Sequence, residues 1–366
     1  MNAKIKQIEN FLNYNFFEKE KLIRTIMITM VAGQNILLIG APGTGKSAII
    51  RDVAKCLSGG HHFYYNLSDS TVPEEVFGGI IMDEMGKGSY KRKLEGKAAG
   101  CTTLMLDEIG RANSAVKNSA LPILNERIFV NDGEVVECQL LFGAGATNDP
   151  LDSEEDAALN DRFVVQVIVE DIKDANNFRK YLQHTYDDSK CPQIDIVDIF
   201  QMQRQAQTVN IKEDLVNAMV EMREELNKAS IHVTTRTWDK ARTLIKASAV
   251  VSDRQIAEFE DLEILKDCLW RNIEDIKTVQ SIVAKYCYDK VTSSIQDIIN
   301  LADDIYKKAV DTKDTAAGTE AVKKLKQLTA DLGKLQKENP GKTAIENAML
   351  SINDMTKQIL SVCLGI

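Results

Sequence analysis

Several residue types that build metal clusters, disulfide frameworks and membrane spans are scarce in this chain. Four histidines in 366 residues are too few for a His-rich metal site. The seven cysteines (Cys56, Cys101, Cys138, Cys191, Cys268, Cys287 and Cys363) are scattered, with no CxxC pair and no histidine at ligand spacing. Reduced core or surface thiols are therefore expected. Six prolines and 20 glycines exclude a collagen-like chain, and the 44% apolar content excludes low-complexity disorder. No apolar run reaches the roughly 18 residues that a membrane-spanning helix needs. Met1-Asn2-Ala3-Lys4-Ile5-Lys6 is not followed by a secretory h-region, so a soluble cytoplasmic protein is expected. Cationic charge is also in deficit, with 45 Lys plus Arg against 54 Asp plus Glu for a net charge of −9. That balance argues against broad binding to a phosphate backbone, although it leaves room for a local basic groove.

The length corresponds to two or three domains, each able to bury a core. In the first third, short β-branched and Leu-rich runs alternate with helical stretches. Asn35–Ile39 is too short for a helix and is ended by Gly40. Similar runs occur at His62–Leu67, Thr102–Leu106, Leu140–Ala146 and Phe163–Val169. Continuous apolar strands separated by helices predict a parallel sheet covered on both faces. Within Arg127–Leu141, Asn131-Asp132-Gly133 separates Ile128-Phe129-Val130 from Val135-Val136, which predicts an extra β-hairpin before the fourth strand.

After Asp174 the pattern turns helical, at Ala175–His184, Ile194–Gln205, Lys212–Ala229, Thr237–Val251 and Leu262–Asn272, with no strand expected between. Beyond Ile276 the apolar residues step by three and four: Val291, Ile295, Ile298, Ala302, Ile305, Ala309; then Ala321, Leu325, Leu328, Leu332, Leu335; then Ile345, Ala348, Ile352, Met355, Ile359, Val362. Asp311–Thr319 and Asn339-Pro340-Gly341 interrupt them, so three helices packed as a bundle or arm are predicted. A self-contained helical domain and a partner-binding arm both satisfy this pattern.

Gly40-Ala41-Pro42-Gly43-Thr44-Gly45-Lys46-Ser47 has the form GxxxxGK[ST], follows a strand and precedes the helical run Ala48–Leu57. Glycines let the backbone wrap phosphate groups, whose charge is met by backbone N–H groups and a helix N-terminus. Lys46 is placed to reach the β- and γ-phosphates and the Ser47 hydroxyl to ligate Mg²⁺. A chance match in a chain of this length has a probability of roughly 1% at average residue usage, so the motif carries weight. Thr103–Glu108 is an apolar strand tipped by paired carboxylates. Asp107 suits a Mg²⁺-bound water and Glu108 the polarisation of an attacking water. Leu141–Asn148 sets Asn148 at another strand tip, where it either positions that water or turns the loop before Asp149-Pro150.

These motifs, with Ser70–Gly78, Leu124-Asn125-Glu126-Arg127, Leu159-Asn160-Asp161-Arg162-Phe163 and Leu265–Trp270, resemble the AAA+ ATPases, and specifically the MoxR family in its RavA-like branch. The similarity spans about residues 1–275. The heptad-rich remainder matches no pattern of that family, and the β-containing insertion of RavA-like proteins is not apparent. The resemblance implies an α/β P-loop AAA+ core over residues 1–180, an all-α lid over 181–275 and a helical heptad-rich extension over 276–366. It implies a hexameric homo-oligomeric ring with ATP at the subunit interfaces. Walker A falls on Gly40–Ser47, Walker B on Asp107 and Glu108, and sensor 1 on Asn148. Arg162 matches the arginine finger that completes a neighbour's site, with an ordinary surface cation as the alternative; Arg111 is a second interface candidate. Arg236, in Thr234-Thr235-Arg236-Thr237-Trp238, matches sensor 2. An Arg in the first turn of a helix opposes the dipole, a cost more easily explained if it reaches a phosphate. By the same resemblance, Asn66 lies where many AAA+ proteins couple a polar residue to the catalytic Glu. Gly79–Gly100 resembles the helix-2 insert and is either a solvated loop or a substrate-facing element.

The implied activity is Mg²⁺-dependent ATP hydrolysis coupled to remodelling or chaperoning of a protein partner, in this family often one with a von Willebrand factor A domain. A nucleic-acid motor or loader is the rival reading, opposed by the acidic balance and the lack of a DNA-binding appendage. A slow nucleotide-dependent scaffold is a second rival, opposed by the intact Asp107-Glu108 pair.

Overall fold

The structure is a computed structural model describing residues 2–86, 89–151, 156–187, 190–287, 290–312, 315–338 and 343–359. The chain divides into two compact units, Met1–Ala284 and Lys285–Ile366. The first opens with two helices, α1 (Asn2–Asn15) and α2 (Glu20–Val31), which were not among the expected elements. Ile5, Ile8 and Leu12 of α1 and Ile23, Ile26, Met27 and Met30 of α2 are fully buried.

Strands β1 (Ile36–Ile39), β2 (His62–Asn66) and β3 (Thr103–Asp107) follow, then β4 (Ile128–Asn131) and β5 (Glu134–Glu137), then β6 (Phe142–Thr147) and β7 (Val165–Ile168). β4 and β5 form the expected antiparallel hairpin. The other five make one parallel sheet in the order β2-β3-β6-β1-β7. Every residue of β1 and β6 is buried, whereas β2, at the edge, alternates between exposed and half-buried. Central strands covered on both faces read as unbroken apolar runs, which is why they are visible in the sequence. Helices α3 (Lys46–Lys55), α4 (Ser114–Glu126), α5 (Ala157–Asn160) and α6 (Ala175–Gln183) accompany the sheet.

The described parts of Gly79–Gly100 are tied down. The Ile81 amide donates to the Lys91 carbonyl at 2.8 Å and that of Lys93 to the Gly79 carbonyl at 3.0 Å. This small ribbon bonds to the β4–β5 hairpin through Ser89 and Asp132 (2.7 Å), Lys91 and Glu134 (2.9 Å), and the Arg92 amide and Asn131 Oδ1 (2.8 Å). Met82 and Tyr90 on the ribbon and Val130 and Val135 on the hairpin are exposed.

Helices α7 (Ile196–Thr208), α8 (Glu213–Lys228) and α9 (Thr235–Val251) follow in the first unit, which ends within α10 (Ile276–Tyr286). The expectation of no strands here needs correction. Leu57–Ser58 pairs with Ile194–Asp195, and Asn210–Ile211 with Ile256–Ala257; a two-residue bridge has no periodicity to betray it. The expected helix Leu262–Asn272 is a 3₁₀ stretch over Phe259–Asp267. Asp261 anchors its start, accepting from the Glu258 amide, the Ser248 hydroxyl and the Arg254 guanidinium. The cysteines are less scattered in space than in sequence: Cys56 and Cys191 are thiols with Sγ atoms 3.4 Å apart.

Asp267 supplies a pH test of this packing. Its carboxylate accepts from the Thr25 hydroxyl at 3.2 Å on α2, and burial raises its pKa to about 6. An acid with a folded pKa above its unfolded value holds its proton longer when folded. Its ionisation therefore costs stability fully above pH 6 and not at all below about pH 4. Asp267→Asn should raise stability by on the order of 1 kcal/mol at pH 7.5, and the gain should vanish at pH 4. Thermal unfolding at the two pH values checks this, and an equal effect at both would reject it.

The second unit contains α11 (Lys290–Thr312), α12 (Thr315–Glu338) and α13 (Thr343–Ile359), each packed on the other two. Its core is the expected seam: Ile295, Ala302 and Ala309; Leu325, Leu328 and Leu332; Ile345, Ala348, Ile352 and Ile359. α11 runs to Thr312 and α12 begins at Thr315, so the first break is shorter than Asp311–Thr319. The Val291 side chain, Val362 and the Asn339-Pro340-Gly341 break lie outside the described residues. Among the described residues no helix is long and apolar enough to cross a membrane.

Candidate nucleotide site

The site forms at the carboxyl ends of three neighbouring strands. β1 and β6 are in register with Ile39 opposite Thr147, so the loop leaving β1 starts beside Asn148. β3 and β6 pair with Leu106 opposite Gly145, which brings Asp107 and Glu108 to the same edge. Ligands of open parallel sheets bind at such an edge.

Gly40 donates its amide to the Thr147 carbonyl at 3.1 Å. A Cβ at that position would stand 2.2 Å from the Val169 carbonyl oxygen, so only glycine fits. Gly43 and Gly45 are left-handed, with φ of 85° and 88°, a conformation that disfavours side chains. Gly45 is the N-cap of α3, which has no side-chain cap, so the first amides of the helix face the loop.

Lys46 extends back over this loop. Its Nζ donates to the Gly40 carbonyl at 2.5 Å, the Ala41 carbonyl at 3.0 Å and Asn148 Oδ1 at 3.2 Å. Burial lowers its pKa, against which Asp107 and Glu108 favour the cation. Thr44 closes the loop through its hydroxyl to the Ala41 carbonyl at 2.9 Å. The Ser47 hydroxyl is hydrogen-bonded to Asp107 Oδ2. The same carboxylate oxygen accepts from Tyr64 Oη at 3.1 Å, and burial followed by the Asp107 charge raises the tyrosine pKa.

Glu108 adopts the left-handed conformation, with φ of 53°, a strain that clusters at functional sites. Its Oε1 accepts from Asn148 Nδ2 at 2.8 Å, and its Oε2 lies 3.5 Å from Arg111 Nε. Lys46, Asn148 and Glu108 therefore form one hydrogen-bonded chain beside the Ser47–Asp107 pair. Asn66 pairs in register with Asp107 and makes no hydrogen bond to Glu108.

Arg162 and Arg236 form a separate cluster. Arg162 Nη1 lies 3.1 Å from Asp161 Oδ2 and Arg236 Nη1 lies 3.2 Å from that same oxygen. Arg236 Nη2 also bonds to Asn125 Oδ1, and Lys240 Nζ donates to the Asp161 carbonyl at 3.2 Å. Asn35 Nδ2 donates to the Arg162 carbonyl at 3.0 Å, fixing its backbone. Thr234 caps α9 by accepting from the Thr237 amide at 3.2 Å, which leaves Arg236 in the first turn. Among the described residues no hydrogen bond or ion pair joins either arginine to Lys46, Ser47, Asp107, Glu108 or Asn148.

The residues of the first cluster suit a nucleoside triphosphate with Mg²⁺. A Cβ built at Gly43 or Gly45 would meet no atom within 4 Å, so space over the loop is open to a phosphate. The Ser47 hydroxyl and Asp107 carboxylate are the hard oxygen donors that Mg²⁺ takes alongside phosphates. Tyr64, Asn125, Asp161 and Lys240 were not expected at these clusters. Asn125 and Asp161 lie within motifs that mark the family resemblance, a faint signal; Tyr64 and Lys240 have none.

Comparisons with known proteins bear on the family and the fold. Residues 214–283 match an AAA lid domain. Two uncharacterized proteins of Methanocaldococcus jannaschii, MJ0079 and MJ0812, are 29% and 27% identical to the chain. The first alignment covers 85% of this chain and 82% of the relative, the second 77% and 75%. The chaperone MoxR1 of Mycobacterium tuberculosis is 24% identical over 41% of this chain and 40% of its own. A crystal structure from Cytophaga hutchinsonii, designated a candidate ATPase, shares the fold with a TM-score of 0.63 and 18% identity, covering 78% of this chain and 94% of that one. Residues 3–207, which carry both clusters apart from the lid residues Arg236 and Lys240, match bpMoxR, the MoxR domain in the MoxR-vWA-beta-propeller ternary systems; the chain belongs to this MoxR family of AAA+ ATPases.

Proposed function

We propose that the protein is a Mg²⁺-dependent ATPase, acting as a hexameric homo-oligomeric ring that couples hydrolysis to remodelling of a protein partner with a von Willebrand factor A domain. The hydrogen-bonded chain Lys46–Asn148–Glu108 beside the Ser47–Asp107 pair carries this reading. Gly40, Ala41, Pro42, Gly43, Thr44 and Gly45 wrap the phosphates, and Lys46 neutralises them. Ser47 and Asp107 hold Mg²⁺, which when bound supplies positive charge against the phosphate oxygens. Glu108 orients the attacking water and accepts its proton, while Asn148 holds the Glu108 carboxylate in place. The partner assignment draws on the family's ternary systems and the chaperone name of the mycobacterial relative. The RavA-like branch and the division at 180 and 275 rest on the sequence motifs, and a cytoplasmic location suits an ATP-using enzyme.

Arg162 and Arg236 act in trans in this reading. Both are joined to Asp161 rather than to their own phosphate loop, and their side chains are 21% and 46% exposed, so they serve a neighbour's phosphates. Arg162→Ala subunits should bind ATP yet be inactive as homogeneous rings. Mixing them with Lys46→Ala subunits, which supply the finger, should restore turnover; none at any ratio, in mixed rings verified by sedimentation, rejects the trans role.

The partner is tested with Glu108→Gln, which should trap the ATP-bound ring. Tagged Glu108→Gln protein with ATP and Mg²⁺ should retain a protein bearing a von Willebrand factor A domain, identified by mass spectrometry. Retention of nucleic acid, with salt-sensitive stimulation of the wild-type ATPase by that nucleic acid, would establish the motor reading instead.

A further inference from the structure

Arg162 and Arg236 come from different parts of the chain. Arg162 follows α5, and Arg236 stands in the first turn of the lid helix α9. One carboxylate oxygen, Asp161 Oδ2, joins them at 3.1 and 3.2 Å. The Asp161 carbonyl holds Lys240, one turn further along α9, at 3.2 Å. Arg271 adds a fourth cation to the same field: Lys240 has its pKa lowered to about 8, by burial first and then by Arg236, Arg162 and Arg271, with Asp161 opposing them.

Cations so gathered repel one another unless a shared anion lies between them. Arg162 is fixed from behind by Asn35 on its carbonyl, and Arg236 is steadied from α4 by Asn125. Among the described residues, Asp161 is the one side chain that pairs with both guanidinium groups. The link also ties α9 to the segment that carries Arg162, so a shift of the lid helix is felt at the finger.

We propose that Asp161 is a positioning residue that bridges Arg162 and Arg236 into one preformed double cation for the neighbouring subunit's nucleotide. The proposal rests on the trans reading of both arginines. Preorganised charge of this kind costs no rearrangement when phosphate charge develops, and the planar guanidinium fork makes its placement geometric as well as electrostatic.

Asp161 also fastens α9 to the sheet-bearing part of the unit, so the test must separate positioning from plain fastening. Mixed rings of Lys46→Ala and Arg162→Ala subunits give the reference turnover. In them the Lys46→Ala subunit supplies the double cation and the Arg162→Ala subunit the working phosphate loop. Asp161→Asn placed in the Lys46→Ala subunits should lower the recovered turnover about 10-fold or more. Placed in the Arg162→Ala subunits, whose finger is already gone, it should cost less than about twofold. Asp161→Glu in the Lys46→Ala subunits keeps the charge and should recover most of the loss.

Equal losses in both placements would make Asp161 a structural fastener and overturn the proposal. Unchanged turnover with Asp161→Asn in the finger-supplying subunit would overturn it as well, while leaving the trans reading intact. A reference mixture without turnover overturns the trans reading itself, and the proposal with it, before any change at Asp161 is made.

Discussion

Glu108→Gln subunits should bind ATP with Mg²⁺ and turn it over slower by a factor on the order of 10² or more, as expected for loss of a general base. Glutamine keeps the size of the side chain and still accepts from Asn148 Nδ2 through its one remaining oxygen, so the 2.8 Å link survives. What disappears is the second carboxylate oxygen, the one 3.5 Å from Arg111 Nε, and with it the capacity to take a proton from water. The left-handed backbone at φ 53° is no harder for Gln than for Glu, so folding should be unaffected. Binding should hold because Lys46 keeps its three acceptors and Asp107 its Ser47 partner. Nucleotide titration and phosphate release on the same preparation check both halves. Near-normal hydrolysis removes Glu108 from the mechanism; loss of binding as well makes it a structural member of the loop.

Legibility from sequence follows what each feature depends on. β1 and β6 are buried on both faces, so Ile36–Ile39 and the run ending at Ala146 announce strands by composition alone. The phosphate loop is legible because each glycine answers a local demand, a carbonyl 2.2 Å from a would-be Cβ at Gly40 and positive φ at Gly43 and Gly45. The tail is legible because the three-four spacing of Leu325, Leu328 and Leu332 is the seam itself. α1 carries the same kind of signal at Ile5, Ile8 and Leu12, though shorter and without a breaker to frame it. Tyr64, Asn125, Asp161 and Lys240 belong to another class. Their roles arise when β2 pairs with β3 or when α9 meets α4 and α5, and no periodicity encodes a contact such as the 43 residues between Tyr64 and Asp107. The same holds for Arg236: its place in a first turn is readable from Thr234 and Thr237, but its union with Arg162 depends on how the lid docks.

Lys46→Ala should weaken ATP binding by a factor of about 10² to 10³, the scale set by roughly 4 kcal/mol for one charge pair at 4 Å in a partly screened site. Lys46 is 7% exposed, and its ammonium gathers the Gly40 and Ala41 carbonyls and Asn148 Oδ1 into one fan. Removing it leaves two loop carbonyls and the carboxylates of Asp107 and Glu108 facing the incoming phosphates, so repulsion adds to lost attraction. Without nucleotide the effect runs differently. Burial already disfavours the Lys46 cation, so its deletion relieves a desolvation cost while three acceptors lose a donor. The two contributions oppose each other, and the melting temperature of the nucleotide-free protein should move by only a few degrees. The wild-type protein should instead gain several degrees on adding ATP and Mg²⁺, a gain the variant should lack. Affinity within tenfold of wild type would mean that the glycine loop and the α3 amides hold the phosphates by themselves, with Lys46 serving the loop's own carbonyls rather than the nucleotide.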